Sequence, residues 1–517
     1  MTGIDVFRQA FPSRREKPIP HGRAPVDLDF RECSELSGVV ADHRAGADIP
    51  AFLAVGISVG STTAPSIRTS SLRALSISDF ESRDRNRNAW ALWQRVAFRF
   101  FAVYFVLQIA PWNWFRAIPG MSFFLRYLFI ATDWLVRAVN GRFFHVRDRL
   151  VPVNGSGDTS WAWAQLCLYV SLAAIACIVW SVVDRKRSSY PRGLYWLRLI
   201  VRYYVASAAL SYGIIKLFLL QMPFPALSQL ATPLGDLLPM RFSWLFIGYS
   251  VPYQFFSGAM ETVAGLLLLY RRTVTAGLFA ATGAFMNVVM INIAYDVPVK
   301  LYSSHLLFSC LFLLALDAPR LVRFLVLNQP TPPTNAYDTI FEEPWMWWTS
   351  VAVKVFIVFQ ILIFPLRSGF DRYRAAHAPL ASGPFKVGMY EVRDFAVNRQ
   401  SIPLTAGDSL RWRDVIFDSN SGGSINTTDS LFWQRYRRGY FRYKANPADQ
   451  TLSVWKNSFV PRDSTFLFAG RYATPDSNTI VLDAQIRGDS VHVEMVRLPR
   501  HFQLTERQFH WLSEYNR

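Results

Sequence analysis

The sequence predicts an α-helical transmembrane bundle of about seven spans, followed by a C-terminal antiparallel β sandwich or barrel. Three observations carry that reading. The chain has 517 residues, 51% apolar and 15% aromatic but only 18% charged, whereas a soluble globular chain is nearer to about 25% charged. Its mean hydropathy is positive, at +0.15. Long apolar runs fill the middle of the chain, and short alternating stretches fill the end.

Residues 1–88 stand apart. They carry 12 basic and 11 acidic side chains, few aromatics and no sustained period. No charged n-region leads into an apolar h-region, so no cleavable signal peptide is expected. Ile49–Val59 is apolar but too short to span. The segment reads as a disordered or low-order region, or as residues upstream of the native start.

Residues 89–366 form the transmembrane helical domain. Apolar segments fall near 91–111, 161–183, 194–220, 242–270, 273–293, 301–317 and 346–366, against the ~20 residues a bilayer needs. Basic residues give an orientation. Arg83, Arg85 and Arg87, then Arg185, Lys186, Arg187 and Arg192, then Arg271, Arg272, Arg320 and Arg323, all fall on one side, the cytoplasmic one. The opposite loops at 221–241 and 294–300 hold only Arg241 and Lys300. The arginine-rich loop 112–160 dissents from this rule, and its Met121–Val139 stretch reads as an amphipathic helix lying in the interface. The N-terminus is thus expected inside and the C-terminus outside, in a protein integral to the cell membrane.

Residues 367–517 change texture. Phe385–Val397, Leu410–Phe417, Gly439–Lys444, Thr451–Trp455, Ser464–Phe468, Thr479–Ile486 and Val491–Val496 alternate apolar with polar side chains, and turn-forming sequences separate them. That is the pattern of an antiparallel sandwich or barrel, here standing on the outer face. Thr505–Glu514 reads as a closing helix.

Several chemistries are excluded. Net charge is +18, but its bases lie beside apolar segments, which is membrane anchoring and not nucleic-acid binding. The four cysteines form no CxxC and no zinc spacing, so no metal is expected. HExxH, a Walker loop and GxGxxG are missing from the sequence.

Ionisable side chains within spans are costly and usually have a reason. Counted along the helices, Arg202, Glu261 and Lys354 each lie about 12–14 Å deep from the cytoplasmic side. They are expected to form an ion-pair layer in which Arg202 and Lys354 neutralise Glu261. A second, outward layer gathers Lys216, Asn287, Asn292, Asp296, Lys300 and His305, with Asp236 in the loop before the fourth span. A cation, carboxylates and a histidine at one level suit a quinone headgroup or a proton relay, although Asp296 and Lys300 also read as a local i, i+4 salt bridge. Pro223, Pro225, Pro233, Pro239 and Pro252 predict broken backbone around spans three and four, tolerable where it lines a cavity or packs on protein.

The ordered set Tyr212-Gly213-Ile-Ile-Lys216, Phe256-Ser257-Gly258-Ala-Met-Glu261, Gly265 with its leucine run, and Met286-Asn287 resembles the DoxX family of bacterial membrane proteins. More closely, it resembles a longer branch with extra spans and a soluble C-terminal region ending near Phe509-His510-Trp511. The resemblance covers roughly residues 194–325 and the tail loosely. A fainter similarity reaches vitamin K-dependent carboxylase-like membrane domains. The resemblance implies a four-helix transmembrane core. For some members it also implies work as a subunit of a quinone-reducing oxidoreductase such as thiosulfate:quinone oxidoreductase. Lys216, Glu261 and Asn287 are the positions carried over. The chain departs from the short members in its length, its seven spans and its β domain.

Three functions follow as expectations. The first is a redox-associated subunit with a quinone-type site and a partner protein as electron donor. The second is a membrane scaffold whose β domain binds an extracytoplasmic partner through Tyr436, Tyr440, Phe441 and Tyr443 beside Arg435, Arg437, Arg438 and Arg442. The third is a transporter. No bound cofactor other than a quinone is expected.

Overall fold

The computed structural model describes residues 89–514, apart from positions 335, 339–342, 378–383, 405–409, 420, 430, 457–464, 507–509 and 513. The reading of residues 1–88 lies outside the described residues. Among the described residues the chain has two parts, a helical bundle and a β barrel, joined in one compact unit.

The first helix, α1 (Leu92–Ile109), starts where the Gln94 side chain accepts from the Ala91 N–H at 2.9 Å. It stops at Ala110, which adopts a left-handed conformation before Pro111. Next come α2 (Met121–Val139) and α3 (Ser160–Val183), the latter capped by the Thr159 hydroxyl. Helix α4 (Pro191–Leu217) opens on a proline, whose missing N–H costs nothing at that position. A single turn at Leu227–Leu230 and α5 (Pro239–Tyr249) precede α6 (Val251–Leu269), α7 (Val274–Ala294), α8 (Lys300–Ala315) and α9 (Ala318–Leu325). Helix α10 runs over Pro344–Ala376. Its turn at Phe359–Ile363 widens just before Pro365, the place where proline removes a backbone donor.

All seven expected segments are helical. Among the described residues four helices are long and apolar enough to cross a bilayer, and α8 with α9, bent by 77°, would make a fifth. The chain is a multi-pass integral membrane protein. Helices α4 and α6 fall outside that count because they carry Arg202 and Lys216, and Gln254 and Glu261, and turn these residues into the bundle. The lipid-facing helices do the reverse, leaving Ile178, Val179 and Val183 of α3 and Met290 and Ile293 of α7 exposed. The expected single span at 242–270 is two helices. Ser250 caps α6 afresh, with its hydroxyl accepting from the Tyr253 N–H at 3.4 Å, and Pro252 sits in the first turn. The amphipathic helix expected at Met121–Val139 is present with the same bounds, and buries only Leu125 and Val136.

Helices α4 and α6 meet closely through glycines. A Cβ on Gly213 would lie 2.4 Å from the Thr262 hydroxyl and 2.6 Å from its backbone nitrogen. One on Gly258 would lie 2.8 Å from the Gly213 carbonyl. Small residues let helix backbones approach where lipid gives no hydrophobic drive for association. Gly213→Ala is therefore expected to separate the helices and destabilise the bundle by about 1–3 kcal/mol, the usual range for overpacking. Thermal unfolding in mild detergent would show this, and an unchanged midpoint would refute the close contact.

The C-terminal part closes the choice between sandwich and barrel in favour of an eight-strand antiparallel barrel. Around the ring run β1 (Gly388–Val397), β10 (Asp489–Leu498), β9 (Thr479–Ile486), β8 (Phe466–Ala473), β7 (Thr451–Lys456), β6 (Arg438–Asn446), β4 (Gly422–Ile425) and β3 (Asp414–Phe417), which pairs with β1 again. Two short strands, β2 (Gln400–Ser401) and β5 (Trp433–Arg435), add to β1 and β6. Closure removes the exposed strand edges that invite aggregation. The interior is packed with Tyr390, Phe395, Trp412, Phe417, Phe432 and Phe441. It leaves a cavity of only about 20 Å³, room for little more than a water. The closing helix is shorter than expected, Gln503–Glu506, and residues 510–512 are not helical.

Candidate functional site

A buried ion pair of the bundle is made by Lys216 of α4 and Glu261 of α6. Their Nζ and Oε1 atoms are 2.5 Å apart, and the residues are 6% and 2% exposed. The second carboxylate oxygen of Glu261 is buried and has no hydrogen-bond partner. Beside the pair lies a cavity of about 230 Å³. Its polar lining includes Gln221, Ser257, Asn287, Asn292 and Ser303, and Tyr212, Trp244, Tyr253 and Tyr302 supply aromatic surface. Asn292 donates to Ser303 Oγ at 2.9 Å, fixing the α7–α8 side. The Gln221 side-chain oxygen is also buried without a partner. An apolar pocket with a few convergent polar groups is the general form of a small-molecule site.

Lys216, Glu261, Asn287 and Asn292 thus share one cavity, while Asp236, Asp296, Lys300, His305, Arg202 and Lys354 are elsewhere. Glu261 pairs with Lys216 and not with Arg202 or Lys354, so the expected three-member ion-pair layer is not formed. The physical reason is an offset between the two helices: α4 runs past the C-terminal end of α6, so Arg202 is level with Leu268 and Leu269 and not with Glu261. Helix α6 begins at Val251, and its glycine contacts set Glu261 opposite the C-terminal turns of α4. Arg202 instead donates to the carbonyls of Leu268 and Leu269 at 2.5 and 2.7 Å. These are end-of-helix carbonyls of α6, where a cation is favoured. The Arg202 guanidinium also lies over the rings of Tyr203 and Tyr337.

His305 is buried against α1, hydrogen-bonded through Nε2 to the Tyr104 hydroxyl with the two rings stacked, so it belongs to a helix contact. Asp296 and Lys300 make the local salt bridge at 2.7 Å. Lys300 also approaches Asp158 at 3.7 Å. The Asp158 carboxylate accepts from the backbone N–H groups of Lys300 and Leu301, both at 2.9 Å, and so caps α8 from a distant segment. Asp158 and Tyr104 carried no local signal in the sequence, because each is defined by a partner far along the chain, and Gln221 is marked only by the cavity it lines.

Of the basic and aromatic stretch at 436–443, Tyr436, Arg437 and Arg438 meet the protein itself, while Arg442 stays exposed. Arg241 of α5 donates to the Tyr436 hydroxyl at 2.7 Å, and Arg437 pairs with Asp236 at 3.0 Å. Ser228 donates its hydroxyl to Asp418 Oδ2 at 2.6 Å and its N–H to Oδ1 at 3.3 Å, and Ser424 Oγ lies 2.8 Å from Ser228 Oγ. Behind Ser424, Arg438 is buried and paired with Asp414 at 2.5 Å. Phe441 sits in the barrel core and Tyr443 packs against it. This network clamps the barrel to loop 221–241.

Burial pushes the Asp418 carboxyl above its ordinary value, against the opposing pull of the Ser228 donors and the Arg438 charge. A carboxyl raised on folding binds more protons folded than unfolded. The attachment should therefore weaken as pH rises from the ordinary aspartate value through the raised one. Asp418→Asn is expected to flatten that dependence, read as barrel release by limited proteolysis across pH 4–7 (an order-of-magnitude window about the aspartate range). A pH slope identical in wild type and variant would refute it.

No family model matches the chain, and neither does a solved structure. A stretch of 75 residues, 14% of the chain, is 39% identical to the uncharacterized protein YwoB of Bacillus subtilis. The chain spans about half the length of that relative, 49% of it.

Proposed function

We propose that the Lys216–Glu261 cavity holds the headgroup of an amphipathic, quinone-type ligand taken from the bilayer, and that the protein works as a redox-associated membrane subunit. The observation that carries this reading is the buried Glu261 oxygen without a partner, beside a lysine with two spare donors and a cavity walled by tyrosines and a tryptophan. An ammonium can donate to a ring carbonyl, a carboxylate can accept from a ring hydroxyl, and aromatic walls favour a flat ring. In this reading electrons come from a partner protein, and the bundle is a DoxX-like core.

The same proposal places the barrel outside the cell membrane. The barrel attaches to loop 221–241, which carries one arginine, while Arg185, Lys186, Arg187, Arg192, Arg271 and Arg272 fall at the other ends of the helices; the arginine-rich loop 112–160 lies on the barrel's side and runs against this rule. The scaffold alternative is weakened because part of its suggested binding surface, Tyr436 and Arg437, is engaged by the chain's own loop.

The test is mass spectrometry of lipids that co-purify in mild detergent, comparing wild type with the Lys216→Met/Glu261→Gln double variant. The proposal expects stoichiometric quinone in wild type and its loss in the folded variant. No quinone in wild type, or equal amounts in both proteins, would overturn it.

A further inference from the structure

A second membrane site, separate from the cavity above, follows from how cations are matched within the bundle. Nearly every buried or half-buried cation there has an oxygen partner. Arg99 donates to Ser181 Oγ and the Asp184 carbonyl at 2.9 Å and to the Tyr190 hydroxyl. Arg202 holds two helix-end carbonyls, Lys216 holds Glu261, and Arg320 holds Asp317. Lys354 of α10 is the exception. It is half-buried, and among the described residues it makes no hydrogen bond or ion pair. The charges that act on it are those of Arg202 and Arg271, both positive. Arg271 is paired with Asp338 at 3.0 Å, and that pair is exposed.

Lys354 also lies on a groove. Its stem, with Trp345 and Val353 of α10 and Trp196, Leu199 and Tyr203 of α4, lines an apolar channel of about 380 Å³. The neighbouring hydroxyls do not compete for a ligand's anion, since Thr349 and Ser350 donate to the carbonyls of Trp345 and Trp347, each at 2.8 Å. Tryptophans at 345, 347 and 348 mark the start of α10 as an interfacial belt. Side chains on a helix lean towards its N-terminus, and a lysine stem can lie along apolar surface while its ammonium reaches the belt. An unpaired ammonium facing hydrocarbon is costly. The abundant anion at that level of a bilayer is a lipid phosphate.

We propose that this groove binds one anionic phospholipid, with an acyl chain lying along Trp196, Leu199 and Val353 and the phosphate paired with Lys354. The unpaired Lys354 ammonium favours a lipid with net negative charge over a zwitterionic one, whose own cation stands beside its phosphate. Basic pockets between transmembrane helices bind anionic headgroups by the same physics.

The test is native mass spectrometry of the full chain in detergent micelles doped with phosphatidylglycerol or phosphatidylcholine. Wild type is expected to retain phosphatidylglycerol by about tenfold over phosphatidylcholine, whose choline cation offsets its phosphate beside Lys354. Lys354→Met and the polar, uncharged Lys354→Gln should both lose that preference, and Lys354→Arg should keep it. Equal retention of the two lipids by wild type would overturn the proposal. So would an undiminished preference in a folded Lys354→Gln protein, which would mean that Lys354 reaches water and the general positive charge of the bundle selects the lipid.

Discussion

Lys216→Met alone, or Glu261→Gln alone, is expected to destabilise the bundle by about 3–5 kcal/mol, and the two together by much less. Removing one member of a buried pair leaves the other charge unmatched, whereas replacing both removes the unmatched charge as well. Here the contrast should be sharp, because the pair is almost fully enclosed and sits where α4 and α6 are in backbone contact. Thermal unfolding of the two single variants and the double variant completes a double-mutant cycle. Coupling below about 0.5 kcal/mol, the scatter of additive sites, would mean that the pair is solvated and the cavity open to bulk water. A ligand that stabilises wild type and leaves the double variant unmoved would connect this cycle to the proposed site.

The second large effect lies in the barrel. Arg438→Met is expected to cost about 3–5 kcal/mol, since it strands the buried Asp414 carboxylate and removes the donor that fixes Ser424. Because Ser424 contacts Ser228, barrel attachment should fail together with barrel stability. Arg437→Met removes a pair whose arginine is mostly exposed, and such pairs contribute little. Comparing tryptophan-detected unfolding with protease release of the barrel separates the two arginines. Similar losses from both would show that the attachment is a diffuse charge contact and not the buried network.

Much of this architecture was legible in the chain because it is written in local periodicity. The Met121–Val139 helix and the Thr479–Ile486 strand appear with the bounds that their patterns suggest, and the prolines around 223–252 do mark broken backbone. Strand β4 was missed because Gly422-Gly423-Ser424-Ile425 has no alternating apolar face. It is buried at every position, and Gly423 lies flat against the Ile416 carbonyl, 2.2 Å from where a Cβ would stand. Site residues were legible only as types. Depth counting found Lys216 and Glu261 but placed them in different layers, because it took the cytoplasmic ends of α4 and α6 as level, whereas Arg202, eight residues into its span, already meets the last carbonyls of α6. His305 looked the same in sequence whether it faced a cavity or Tyr104. The barrel's basic strand looked like a free surface because its occupants, Asp236 and Arg241, lie about two hundred residues earlier.

Loop 221–241 belongs to both halves of the protein. Gln221, Met222 and Met240 form part of the cavity wall, while Ser228, Asp236 and Arg241 hold the barrel. Two equilibria that share one segment cannot be independent. An occupant that needs this wall in one position changes the free energy of barrel attachment, and a force or partner acting on the barrel changes occupancy by the same amount. The barrel, with a packed interior of its own, is in mechanical terms a lever whose fulcrum is the roof of the cavity.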